Sequence, residues 1–98
     1  METPNKPDLA LVKRGESIKV FKVTGRAGMM MPLHHSTKEA VVIVQEGSAL
    51  LKIGEKQLLL QEGDAFVIPA AQNHSLSVET GLKAFVVMAL DSSIEFEK

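Results

Sequence analysis

Apolar side chains come in short bursts along this chain, and turn-forming residues separate the bursts. Residues 17–23 (SIKVFKV) alternate roughly every second position, the pattern of a strand with one buried face. Residues 40–44 (AVVIV) form a continuous, mostly β-branched run that suits a strand covered on both faces. Further strand candidates are residues 49–53, 57–60, 65–68, 74–78 and 83–90. Gly15, Gly25, Gly47-Ser48, Gly54-Glu55, Gly63-Asp64, Pro69 and Gly81 punctuate them. Turn residues recur about every 8–12 positions, the spacing of sandwiches and barrels. Residues 53–56 (IGEK) read as a tight hairpin, with Gly54 supplying the unusual backbone angle. Leu58-Leu59-Leu60 has helical propensity, but Gly54 and Gly63 leave too little room for the ~10–12 residues of an ordinary helix. It is assigned to a strand.

The 98 residues make one domain, placed at 9–91, with a polar lead-in at 1–8 and a charged tail at 92–98. Leu, Val, Ile, Met and Phe are plentiful enough to build a core without a disulfide or a structural metal. Cysteine is absent, which excludes disulfide and thiolate chemistry. The net charge is −1 and like charges never run beyond Lys13-Arg14, so the basic stripe of a nucleic-acid binder is missing. There is no basic amphipathic helix for a membrane surface, no apolar run near the ~20 residues of a membrane span, and no signal-peptide core in residues 1–8. A cytoplasmic protein binding neither nucleic acid nor membrane is expected.

The three histidines fall in two places, His34-His35 and His74. A lone histidine is ordinarily a polar surface residue. Here the spacing of the surrounding residues is informative. Gly28 precedes His34 by five intervening residues, and the stretch closes at Glu46-Gly47. Later, Gly63 is followed after five residues by Pro69, and His74 lies five positions beyond it. In these two motifs, their order and the hairpin between them, residues 17–90 resemble the cupin superfamily. The resemblance implies an all-β fold, a double-stranded β-helix or jelly-roll barrel of two antiparallel sheets.

Departures from the family pattern bear on function. Where the first motif carries a second histidine this chain has Ser36, and where it carries glutamate the chain has Ala40. The second motif's glycine is Ala71, and its closing asparagine is Val78. Of the four positions that hold metal in typical cupins, His34 and His74 remain. Successive strand residues point to opposite faces, so His35 and Glu39 face away if His34, Ser36 and Ala40 face in. A bulge or loop between Leu33 and Ala40 would bring His35 and Glu39 back as ligands.

Two histidines and a serine fall short of the three or more nitrogen, sulfur or carboxylate donors a protein-held transition metal usually wants. The first expectation is therefore a small-molecule-binding barrel with a degenerate metal site, its pocket lined by Met30, His34, Ser36 and His74. Met30 enters because regular alternation gives it the face of His34. The alternative is a metal-dependent oxygenase, isomerase or decarboxylase, with a divalent Zn, Mn, Fe or Ni held by His34, His35 and His74 and Glu39 as fourth ligand or base. A third possibility is a dimeric sensor or assembly module without catalysis.

Remaining groups add little. Ser36 and Ser75 lack an acid to complete a Ser-His-acid triad, and Asp64 is better explained as a turn residue. Arg14 and Arg26 are the only arginines, and neither Trp nor Tyr is present to stack on a sugar. Apolar residues on both parities of residues 41–44 and 84–90 call for a second covered face, and a homodimer is expected.

Overall fold

The computed structural model describes residues 5–96. Eight strands follow one another: β1 (Asp8–Arg14), β2 (Ile18–Gly25), β3 (Met30–Ser36), β4 (Ala40–Ile53), β5 (Lys56–Gln61), β6 (Ala65–Ile68), β7 (His74–Ala89) and β8 (Ile94–Phe96). All seven strand pairings among the described residues are antiparallel. β4 and β7 are long and pair along most of their length, and each serves two sheets. The first half of β4 and the second half of β7 lie between β6 and β2, with β1 outside β2. The other halves lie between β5 and β3, with β8 outside β3. The result is the jelly roll of two antiparallel sheets expected from the sequence.

The two long strands are each longer than the sequence pattern suggests. Residues 40–44 and 49–53 are one strand, as are 74–78 and 83–90 apart from its last residue, because Gly47 and Gly81 sit within strands and not in turns. The β4–β7 register shifts three times between Val44 and Ala49, which is where β4 passes from one sheet to the other. Gly47 has φ +78° there, and a Cβ on it would lie 1.8 Å from the Gly81 carbonyl oxygen. Only glycine permits that approach.

Strands β1 and β8 have no counterpart among the sequence-based strand candidates, and β3 enters the sequence reading only through the alternation around His34. A bulge between Leu11 and Lys13 breaks the alternation of β1, and another between Met31 and His34 breaks that of β3. β8 is only three residues long. Its pairing with β3, together with the buried Ser92, brings residues 92–96 of the expected tail into the folded body. Within the expected lead-in, Asp8 opens β1; residues 1–4 and 97–98 of the two tails lie outside the described residues.

Inward side chains follow the period of two. Val23, Val42, Val44, Ala84 and Ile68 come from one sheet, and Met31, Ala49, Leu51, Ile53, Leu60, Leu76 and Val78 from the other. Together they fill most of the barrel. The filling is incomplete at the end where β3, β8 and the start of β7 meet.

Candidate functional site

The site is positioned by the pairing of β3 with β7. His34 stands directly opposite His74 in that register, and Met31 opposite Leu76. One extra residue in β3 between those two pairs reverses the parity of the strand. Met31, and not Met30, therefore shares the inner face with His34. Met30 is 49% exposed and belongs to the outer surface, which corrects its assignment to the pocket. The Pro32 ring falls within the irregular stretch, where its missing N–H costs no ladder bond.

His34, Ser36 and His74 are buried and line a common cavity, as does Ala40. The rest of the lining is apolar and includes Met31, Leu51, Ile68, Met88 and Ile94. About 50 Å³ is open to the centres of water molecules. The two imidazoles meet edge to face, with centroids 4.2 Å apart and planes at 62°. The Phe96 ring of β8 lies against His34 with centroids 5.1 Å apart. The segment leading into β8 is held by polar contacts: Lys19 Nζ donates to the Ser92 carbonyl at 2.6 Å, and Lys38 Nζ pairs with Asp91 at 2.8 Å.

The ring nitrogens have defined roles. His34 Nδ1 lies 2.6 Å from the Pro32 carbonyl oxygen, and His74 Nδ1 lies 3.0 Å from that of Gln72. A carbonyl oxygen only accepts, so each Nδ1 carries the proton and each neutral ring keeps its lone pair on Nε2. Neither Nε2 nor the Ser36 hydroxyl has a hydrogen-bond partner among the described residues. No side-chain nitrogen or oxygen there is both sealed and unpartnered, so these three atoms border open space. Burial pushes both histidines below the ordinary imidazole value of about 6.5. The carbonyl hydrogen bonds oppose that shift; repulsion from His35 adds to it, and for His34 so does repulsion from His74. The pair is thus held neutral.

His35 and Glu39 do not join them. The bulge that resets β3 lies before His34, and from His34 through Ser36 the alternation is regular. His35 consequently turns outward, where it pairs in register with Glu95 of β8 and brings Nε2 to 3.5 Å from Glu95 Oε1. Glu39 is exposed just before the inward Ala40. Among the described residues no three His, Cys, Asp or Glu side chains converge as a metal cluster. Two neutral imidazoles and a hydroxyl do not fit the donor set of a divalent transition metal, least of all in an apolar cavity with no anionic ligand to offset the ion's desolvation.

Several lining residues escaped the sequence reading. Met31 was hidden by the bulge. Val86 and Met88 share the parity of Leu82 and Ala84, and Lys83 on the opposite parity was the available signal. Ile94 and Phe96 are two residues apart, a weak alternation in a charged segment. Ser36 is placed in the pocket by its position in the motif that resembles the cupin pattern, and Ala40 stands at that motif's glutamate position.

Comparison with known proteins places this geometry. No curated protein matches the chain. Among solved structures, a cupin superfamily protein from Desulfitobacterium hafniense superimposes with a TM-score of 0.79 at 12% identity, covering 93% of this chain and 84% of that one. An RmlC-like cupin protein from Desulfovibrio desulfuricans gives 0.74 at 25% identity, with 86% and 82% covered. A salicylate 1,2-dioxygenase from Pseudaminobacter salicylatoxidans gives 0.69 at 25% identity; the match covers 72% of this chain but only 20% of the dioxygenase. The family model of the cupin domain matches residues 21–90, from β2 to just past the end of β7, and the chain belongs to that family.

Proposed function

We propose that this cupin binds a small molecule in its barrel cavity, on the His34–His74 pair, and does so without a resident metal. The observation that carries the reading is the pair of Nε2 atoms: both rings are held by their own strands through Nδ1, and both leave a lone pair unmatched beside open space. Buried polar atoms are costly unless satisfied, so an arrangement that leaves three of them facing a cavity is suited to a ligand that satisfies them. The apolar remainder of the lining supplies burial, as in most small-molecule sites.

Catalysis has weaker support. No carboxylate is among the lining residues of the cavity, Asp64 accepts from the Gln61 backbone N–H at 2.8 Å and is used there, and neither Ser36 nor Ser75 has an acid behind its histidine. The likeness to a salicylate 1,2-dioxygenase supports the scaffold and not that activity, because one scaffold hosts many activities.

The test uses protein purified without a histidine tag. Native mass spectrometry and denaturing extraction look for a co-purifying small molecule, and elemental analysis measures metal. The expected result is an organic ligand that raises the melting temperature when added back, since a ligand of the folded state stabilises it. Stoichiometric metal that disappears in the His34→Ala, His74→Ala double variant would overturn the reading.

A further inference from the structure

Resting on the binding reading above, we infer that the cavity selects a compact, uncharged hydrogen-bond donor, such as a small amide or alcohol, and rejects carboxylates and other anions. The selectivity comes from which atoms face the space. Nδ1 of each histidine is committed to a backbone carbonyl, so the rings present acceptors and no donors to a ligand. The Ser36 hydroxyl alone can both donate and accept. No lysine or arginine is among the lining residues. Lys19 donates to the Ser92 carbonyl, Lys6 Nζ lies over the Phe96 ring 5.0 Å from its centroid, and Arg26 lines a separate surface groove beside Gly25 and Leu82. A carboxylate entering here would meet two lone pairs and an apolar wall, and would lose its hydration with one hydroxyl in return. An amide or alcohol would meet two acceptors placed for its N–H or O–H groups.

Size narrows the class further. A water needs ~10–15 Å³ of centre-accessible space, so the cavity corresponds to ~3–5 waters, or a ligand of ~4–6 non-hydrogen atoms. Met31 and Met88 form part of the wall, and their unbranched thioethers can yield to a slightly larger guest.

The experiment compares isosteres that differ in little but donor against acceptor. The protein, with its histidine rings labelled with nitrogen-15, is titrated at pH 8 with lactamide, propane-1,2-diol and lactate. The expected result is that lactamide and the diol move both Nε2 resonances to saturation and leave Nδ1 nearly unchanged, with lactamide binding at least tenfold more tightly than lactate. His34→Asn and His74→Asn keep a donor for the Pro32 and Gln72 carbonyls but delete the ring edge that carries Nε2; each should weaken lactamide at least tenfold. Should these variants fail to fold, the wild-type titration decides by itself. Lactate binding as tightly as lactamide overturns the inference and leaves the binding reading standing. No movement with any of the three probes also overturns it, and the binding reading is then judged by the co-purification test, which does not depend on ligand polarity.

Discussion

His34 and His74, forty residues apart in the chain, are direct cross-strand partners, and their rings touch edge to face at 4.2 Å inside the barrel. Protonating either one places a charge in an apolar cavity beside a second imidazole. Both pKa values are lowered by burial, so between the unfolded value near 6.5 and the lower folded values the unfolded chain binds more protons. Stability is then fully present above about pH 6.5 and is lost as pH falls toward the folded values, by up to about 1.4 kcal/mol per pH unit for each ring. Urea denaturation from pH 7.5 to 5 should show this loss, and a His34→Asn, His74→Asn double variant should flatten it. An equally steep profile in the double variant would remove the two rings as its cause.

Ser36 and Ala40 line the cavity and are each only 3% exposed, at the two places where the family pattern carries histidine and glutamate. Restoring those side chains should restore a metal centre. The Ser36→His, Ala40→Glu double variant is expected to retain roughly one equivalent of a divalent ion through gel filtration, since it offers three imidazoles and a carboxylate. The wild type is expected to retain far less. Elemental analysis of both proteins in parallel checks this, and equal occupancy in the two would show that the donors at 36 and 40 are not what decides.

Backbone geometry gives a pair of opposed predictions. Gly47→Ala adds a Cβ against the Gly81 carbonyl at a positive φ, at the point where β4 changes sheets. It should cost about 3–5 kcal/mol, the range of severe single substitutions. Ala71 has φ +63°, and among the described residues it is the only non-glycine with a positive φ. It stands at the motif's glycine position, and its N–H donates to the Ser36 carbonyl at 2.8 Å. Ala71→Gly should relieve about 1–2 kcal/mol of left-handed strain and give back about 0.4–1 through unfolded-chain entropy, for a small net gain. Thermal melts of the two variants should move in opposite directions.

The jelly roll was legible because turn residues, alternation and the two spaced motifs agree with one another. His34 and His74 were legible as a pair because both stand at ligand positions of the two motifs that resemble the cupin pattern. What failed was parity across an irregularity. Met30 was assigned by counting twos back from His34, and one extra residue in β3 moved that place to Met31. His35 and Glu39 depended on a bulge after Leu33, whereas the break in β3 comes before His34. β8 was missed because three residues carry too little periodicity to register, although Ile94 lines the cavity and the Phe96 ring packs against His34. Bulges are local departures set by tertiary pairing, and a periodic pattern read along one strand does not contain them.

The outer face of the sheet formed by β2, β7, β4 and β6 carries a row of four valines in register: Val20 beside Val87, Val87 beside Val41, and Val41 beside Val67. The next row toward the bend is Lys22, Phe85, Ile43 and Ala65, and on the other side Ile18 stands beside Ala89. Val67 is 52% exposed, Ile18 50% and Ile43 39%. Nine apolar positions, spaced ~4.8 Å across strands and ~6.8 Å along them, give a contiguous footprint of ~300 Å². A contiguous patch of that size is often functional, and it would make the dry centre of an interface of ~800 Å² per partner. A second copy of this chain is the expected occupant: a flat sheet face packs on its own image about a two-fold axis, with Lys13, Lys22 and Glu39 available at the rim. Sedimentation at about 50 µM should give twice the 10.6 kDa chain mass. Val41→Lys with Val87→Lys should give the single-chain mass, since an isologous contact places each new charge in the apolar centre twice, and the barrel interior is untouched by side chains that point outward. A wild type that sediments as a single chain at that concentration would leave the valine row as an uncovered surface and would count against the dimer.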